Sequence, residues 1–173
     1  MSSEFDLIRR WFSPATDHTL LAGGDDAALV APAPGCALAI TTDMLVEGMH
    51  FLPGADPASL GHKTLAVNLS DLAAMGARPR WAFLALALPD ADEDWIAAFA
   101  SGFLALARTH GVDLAGGDTT RGPLNLCVTV IGEVPATRAL RRDGARSGDD
   151  VWVSGCTGEA AIGLVVARGA IEL

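Results

Sequence analysis

The chain has 173 residues, half of them hydrophobic and 19% charged, with 21 acidic residues against 12 basic ones for a net charge of −9. This is apolar enough to build a sizeable core and excludes a disordered chain. The acidic balance argues against a nucleic-acid partner, which rewards basic patches, and against an anionic membrane surface.

Cys36, Cys127 and Cys156 are widely spaced and form no CxxC pair, which suits reduced thiols better than a disulfide framework or a zinc site. The N-terminus, MSSEFDLIRRWF, carries acidic residues and no long apolar run, so it does not read as a signal peptide. No apolar stretch of about 18 residues suggests a membrane span, and a cytoplasmic protein is expected.

Residues 4–12 read as a short amphipathic helix with Phe5, Ile8, Trp11 and Phe12 on one side. Ala27–Val30 and Ala37–Thr42 are short apolar runs bounded by Gly and Pro, as strands are, with a turn at Pro32, Pro34 and Gly35. Residues 43–58 form an irregular connection, a length that in a compact domain often marks function. Asp56-Pro57 then opens a helix that runs to about Met75 and stops at Gly76.

Trp81–Leu88 is a continuous apolar run, expected as a strand buried on both faces. Asp92, Glu93 and Asp94 open a second long helix, with Trp95, Phe99, Phe103 and Leu106 at core-facing spacing and Gly111 at its end. Asp113–Ala115 reads as a short strand leading into Gly116-Gly117-Asp118, and Leu124–Val134 as another strand. Residues 136–149 turn polar, basic and glycine-rich, like an interdomain connection. Val151–Ser154 and Glu159–Arg168 then begin a new strand–helix unit. The expected organisation is a domain over 1–135, a connection over 136–149 and the start of a second domain over 150–173. The mixed order of elements indicates an α/β or α+β fold, a mixed sheet flanked by helices.

Aspartates recur at the ends of apolar segments beside Gly or Thr: Gly23-Gly24-Asp25-Asp26, Thr41-Thr42-Asp43 and Gly116-Gly117-Asp118-Thr119-Thr120. Asp71 sits inside a helical run. Carboxylates aimed at one shared edge repel each other unless a cation lies among them. Mg²⁺ takes oxygen ligands and is usually shared between carboxylates and substrate phosphates. Glycines before an Asp let backbone approach a phosphate closely. Each motif alone is also ordinary turn chemistry, so the residues by themselves suggest a multi-aspartate Mg²⁺–phosphate site without specifying it.

Known phosphate motifs are absent. Gly61-His62-Lys63-Thr64 lacks the adjacent Gly-Lys of a P-loop and falls inside a predicted helix. There is no protein-kinase H-R-D or D-F-G set, no nucleophile elbow and no His pair at zinc spacing. His50, alone in a loop, and the Arg141-Arg142 pair carry no specific signal on their own.

Longer blocks are specific. Glu4–Ile8, Gly24-Asp25-Asp26-Ala27-Ala28, Thr41–Gly48, His50-Phe51, Lys63–Ala77 (with AVNLSDLAAMGA) and GGDTTRGP over 116–123 resemble the thiamine-monophosphate kinase family, in that family's order along the whole chain. The resemblance implies ATP-dependent phosphorylation of thiamine monophosphate to thiamine diphosphate. It also implies the fold of aminoimidazole-ribonucleotide synthase, with a dimerising N-terminal domain. It assigns Mg²⁺ to Asp26, Thr41, Thr42, Asp43, Asp71 and Asp118, ATP to Gly117, Asp118 and Arg142, and the thiamine substrate to His50. Catalysis would be electrostatic and metal-assisted, with no covalent catalytic residue. Two departures stand out: Ala22-Gly23-Gly24 replaces the family's usual Gly-Ile-Gly, and family members continue well past this point, so the chain is expected to be an N-terminal portion. The alternatives are a non-catalytic dimerising module that binds metal or nucleotide, and another ATP-using enzyme of the same superfamily.

Overall fold

The computed structural model describes residues 4–153 and 155–171. The chain divides into two units, Met1–Arg141 and Arg142–Leu173. The division falls within the polar 136–149 stretch. The first unit contains α1 (Glu4–Trp11), β1 (Thr19–Leu21), β2 (Leu29–Val30), β3 (Cys36–Val46), α2 (Pro57–Ala74), β4 (Arg78–Leu88), α3 (Glu93–His110), β5 (Asp113–Arg121) and β6 (Asn125–Pro135). The Phe5 side chain, expected on the apolar side of α1, lies outside the described residues.

The helix ends follow their capping chemistry. The Asp56 carboxylate accepts the Ser59 amide at 2.8 Å, with Pro57 in the first turn of α2. Asp92 accepts the amides of Asp94 and Trp95, and Gly111 closes α3 at φ 61°.

Four strands form a mixed sheet in the order β3-β6-β4-β5. β6 pairs antiparallel with both β3 and β4, and β4 runs parallel to β5. A parallel neighbour requires a crossover, which α3 supplies. Leu65 and Leu72 of α2 and Phe99 and Phe103 of α3 join Leu84, Leu86, Leu126, Val128 and Val130 of the sheet in one core. The two helices touch through glycine. A Cβ on Gly61 would stand 2.0 Å from the Phe99 carbonyl oxygen, and one on Gly102 1.9 Å from that of Ala58. Removing both side chains is what lets the backbones meet.

The opposite sheet face is open. Along β3, Leu38, Ile40 and Met44 are exposed, while Leu45 is buried. β4, expected to be buried on both faces, instead alternates: Leu84, Leu86 and Leu88 are buried, Ala85 is exposed and Phe83 half-buried. Its side chains are apolar in both directions, so period-2 alternation is invisible in the sequence. The glycine–aspartate motif also differs from expectation. It is no turn, because β5 continues through it to Arg121.

β1 and β2 make a two-stranded hairpin whose tip is residues 22–28. Buried carboxylates hold both of its feet. Asp113 accepts the amides of Asp17 at 3.0 Å and His18 at 2.6 Å and the Thr19 hydroxyl at 2.7 Å. Glu133 accepts the Ala33 amide at 2.6 Å and the Arg80 Nε at 2.8 Å. Arg80 Nη1 lies 3.2 Å from His18 Nε2, and the Trp81 indole donates to the His18 carbonyl.

Burial is the largest influence on Asp113 and raises its pKa, but the Asp17, Thr19 and His18 donors outweigh it and hold the group below its ordinary 3.8. The Ala33 amide leads in holding Glu133 below its ordinary 4.5, against burial and with Arg80 assisting. Depressed carboxylates contribute stability that is present above their unfolded pKa and is lost as pH falls through the folded values. We expect full stability above about pH 5 and a falling melting temperature below about pH 4, with the first loss at the hairpin. Thermal melts across that range check this, and the Asp113→Asn variant should show a shallower acid slope.

In the second unit, Arg142–Gly144 forms a 3₁₀ turn and α4 spans Glu159–Ala167. Val151–Val153, expected as a strand, forms none among the described residues. Extended backbone needs a neighbouring strand for its hydrogen bonds, and none is paired with it here. Ser154 lies outside the described residues. Among the described residues no helix is long and apolar enough to cross a membrane.

Candidate functional site

Apart from Arg142, the residues singled out in the sequence fall into two groups in the first unit. The first group lines an open cleft of about 940 Å³. One wall is the hairpin tip, Gly23 to Ala28, and the other is Gly116 to Thr119 of β5. Ile8 and Phe12 of α1 and Phe83 and Leu114 of the sheet add apolar surface. Asp26 and Asp118 therefore share one cleft with apolar walls and glycine backbone, a combination suited to a ligand with a flat apolar part and a charged part.

Gly117 is there because nothing else fits. Its φ is 151°, and a Cβ would stand 1.8 Å from the Leu84 carbonyl oxygen. It lets β5 close against β4 at the residue that precedes Asp118. Gly24, at φ 122°, makes the bend before Asp25. The Asp25 carboxylate accepts the Asp26 amide at 2.8 Å and holds the tip in shape.

The second group sits where β3 meets α2. The Thr41 hydroxyl donates to Asp71 at 2.7 Å, so Thr41 faces the helix. Strand alternation places Asp43 on that face too. Thr42 points the other way, with its hydroxyl 2.8 Å from that of Thr129. Beyond β3, His50 Nδ1 accepts the Val46 amide at 3.1 Å, which leaves the proton of a neutral ring on Nε2. Lys63, the chain's only lysine, donates from α2 to the His50 carbonyl. It ties the histidine loop to the same helix that carries Asp71. Sequence reasoning set Lys63 aside with the failed P-loop; its being the single lysine was the signal that could have singled it out.

One expectation is corrected. The aspartates do not gather at one edge of one chain. β3 and β5 are the two outer strands, roughly 14 Å apart at the ~4.8 Å strand spacing, because β6 and β4 lie between them. Among the described residues no group of three or more His, Cys, Asp or Glu side chains could hold a metal ion. The available donors are all oxygen, offered one or two carboxylates at a time. This suits a Mg²⁺ ion that keeps its waters and shares a phosphate, and it does not suit an all-protein metal cage. Arg142 is exposed and belongs to the second unit.

Residues 24–134 match the family described as AIR synthase related protein, N-terminal domain. The chain belongs to this family. Within it, the likeness is to the N-terminal portion of thiamine-monophosphate kinases. The Salmonella typhimurium thiamine-monophosphate kinase is 49% identical over 98% of this chain and 53% of its own length. The crystal structure of thiamine-monophosphate kinase from Stenotrophomonas maltophilia is 56% identical, with a TM-score of 0.83 over 90% of this chain and 50% of that one. A structure of AaThiL complexed with AMPPCP and TMP is 34% identical, with a TM-score of 0.75 over 83% of this chain and 46% of that one. The chain spans about half the length of the curated relatives it matches. The family match begins at Gly24 on the hairpin tip and ends at Val134, so it contains both groups and omits Arg142.

Proposed function

We propose that this chain carries the nucleotide- and metal-binding part of an enzyme that transfers the γ-phosphate of ATP to thiamine monophosphate, giving thiamine diphosphate. The observation that carries this is the cleft in which Gly24–Asp26 and Gly117–Asp118 stand as facing walls. Glycine backbone suits close approach of phosphates, and the chain is similar to a protein solved with AMPPCP and TMP.

Asp26 and Asp118 on the cleft side, and Thr41, Thr42, Asp43 and Asp71 on the β3 side, would hold Mg²⁺, with Thr42 serving through its main chain if its hydroxyl stays on Thr129. Bound Mg²⁺ would supply charge neutralisation along the phosphates. Gly117, Asp118 and Arg142 would contact ATP, and His50, held by Val46 and Lys63, the thiamine substrate. A phosphate oxygen of thiamine monophosphate attacks the γ-phosphorus in line, one P–O bond forms as the bond from the γ-phosphorus to the β,γ-bridging oxygen breaks, and ADP leaves with that oxygen. With a second phosphate pKa of about 6 the attacking oxygen is ionised near neutral pH, so no strong general base is needed. ATP as donor, with Cys36, Cys127 and Cys156 as free thiols, suits a cytoplasmic setting.

A homodimer belongs to the same proposal. The exposed Leu38, Ile40 and Met44 make an apolar sheet face that a second copy would cover. Two sheets meeting on that face can set β5 of one copy beside β3 of the other. That would unite Asp26 and Asp118 of one copy with Asp43 and Asp71 of its partner, which a single chain does not do.

The primary test incubates the protein with ATP and thiamine monophosphate, with and without Mg²⁺. Mg²⁺-dependent thiamine diphosphate is expected. A folded protein that neither forms product nor binds AMPPCP sinks the proposal. The composite site has its own test. Asp71→Asn and Asp118→Asn chains, each inactive alone, should regain about a quarter of wild-type activity when mixed and allowed to exchange, since each mixed dimer holds one intact site. No recovery from demonstrably mixed dimers would show that each chain builds its site alone.

A further inference from the structure

The hairpin that carries Asp25 and Asp26 has little of its own to hold it in place. It has two short strands, and an isolated two-stranded hairpin is marginal in water. Its larger apolar side chains face solvent, with Leu20 74% and Leu29 56% exposed. Polar contacts at its feet must therefore set where its tip stands.

Those feet are held by two carboxylates that the reaction does not use. Asp113 is 6% exposed and takes three donors from residues 17–19 at one foot. Glu133 is 8% exposed and takes the Ala33 amide at the other. Arg80 joins the two ends, with Nε on Glu133 and Nη1 on His18. Asp113 also opens the strand on which Asp118 stands five residues later. The support that holds the hairpin is thus continuous with the strand forming the opposite wall of the cleft.

Buried charges are a poor way to gain stability alone, since apolar replacements often do as well. Directional hydrogen bonds do what apolar packing cannot: they fix one position of a hairpin that otherwise has little to locate it. We propose that Asp113 and Glu133, bridged by Arg80 and His18, are positioning residues that clamp both feet of the hairpin and so hold Asp25 and Asp26 across the cleft from Gly117 and Asp118. This rests on the reading of the cleft as the Mg²⁺–nucleotide site.

The test uses Asp113→Asn and Glu133→Gln, neither of which is in the binding machinery. Two quantities are measured: backbone amide exchange over residues 17–33, and affinity for AMPPCP as a function of Mg²⁺ concentration. In each variant, hairpin amides should exchange at least about 10-fold faster while β4 and β6 keep wild-type rates. Apparent Mg²⁺ affinity in the ternary complex should fall about 10-fold and AMPPCP binding should recover at high Mg²⁺, as for other changes to groups that orient metal ligands. A loosened hairpin with unchanged Mg²⁺ dependence would make the clamp merely structural and overturn the proposal, as would a hairpin that stays protected. Should either variant fail to fold, Thr19→Val removes a single donor to Asp113 and should shift both readouts the same way by about 2-fold; unchanged readouts there overturn the proposal too. Wild-type protein that binds no AMPPCP at any Mg²⁺ concentration would instead overturn the functional reading, while the exchange rates still judge the clamp.

Discussion

If the proposed site is right, Asp43→Asn is expected to lower Mg²⁺-dependent turnover by at least about 100-fold, the range seen when one preorganised electrostatic partner of a transition state is removed, and to leave the melting temperature near wild type. The second half of this expectation follows from the structure. Among the described residues no hydrogen bond or ion pair reaches the Asp43 carboxylate, and the residue is only partly buried on β3. Removing its charge therefore orphans no partner in the fold. Asp71→Asn differs, because it also weakens the bond from Thr41, so part of its effect would be disturbed geometry. Steady-state assays over a Mg²⁺ series, beside thermal melts, separate the two variants. Wild-type activity in a folded Asp43→Asn protein would remove Asp43 from the proposed site.

Gly117→Ala should be the most damaging change that adds only a methyl group. The Cβ would lie 1.8 Å from the Leu84 carbonyl oxygen. That oxygen belongs to the backbone of β4, whose Leu84 side chain is in the core, so the neighbour has no soft way to give. The φ of 151° adds strain for any side chain. A loss of about 3 kcal/mol or more is expected from overpacking and backbone strain together, with AMPPCP binding lost as the Asp118 end of β5 is pushed from β4. Gly23→Ala is the control: it lies in the same cleft, meets nothing within 4 Å and has no unusual φ, so it should melt like wild type. Denaturant midpoints for the pair read the difference. A Gly117→Ala protein as stable as Gly23→Ala would contradict the close β4–β5 approach described above.

Much of the local structure was legible in the residues. Asp56-Pro57 and Asp92 announced two helices because capping is decided within one turn, by a side chain reaching an amide two or three residues on. Gly111 announced a helix end for the same local reason. The strands were read with misplaced bounds, and β1 (Thr19–Leu21) was not expected at all: β2 covers only Leu29–Val30 of the expected Ala27–Val30, β3 runs to Val46, past the expected Thr42, and β5 continues through Gly116–Thr120. Aspartates and glycines usually break strands, and their tolerance here comes from neighbouring strands that supply hydrogen bonds. The buried carboxylates Asp113 and Glu133 went unnoticed, since each is an ordinary acidic residue until residues about a hundred positions away, Asp17 and Ala33, donate to it.

By itself the sequence determined the helices, the mixed α/β character, the family resemblance and the aspartate, threonine and glycine residues on which a phosphate chemistry could be built. Only the tertiary structure decided how those residues are grouped. The strand order β3-β6-β4-β5 sends Asp43 and Asp118 to opposite edges, while a hairpin whose polar feet are held by Asp113 of β5 and Glu133 of β6 brings Asp26 into the cleft of Asp118. The physical reason is that capping and period-2 or period-3.6 patterning act over a few residues, whereas strand order is set by which long-range pairings bury the most apolar surface, and no single stretch of sequence contains that comparison.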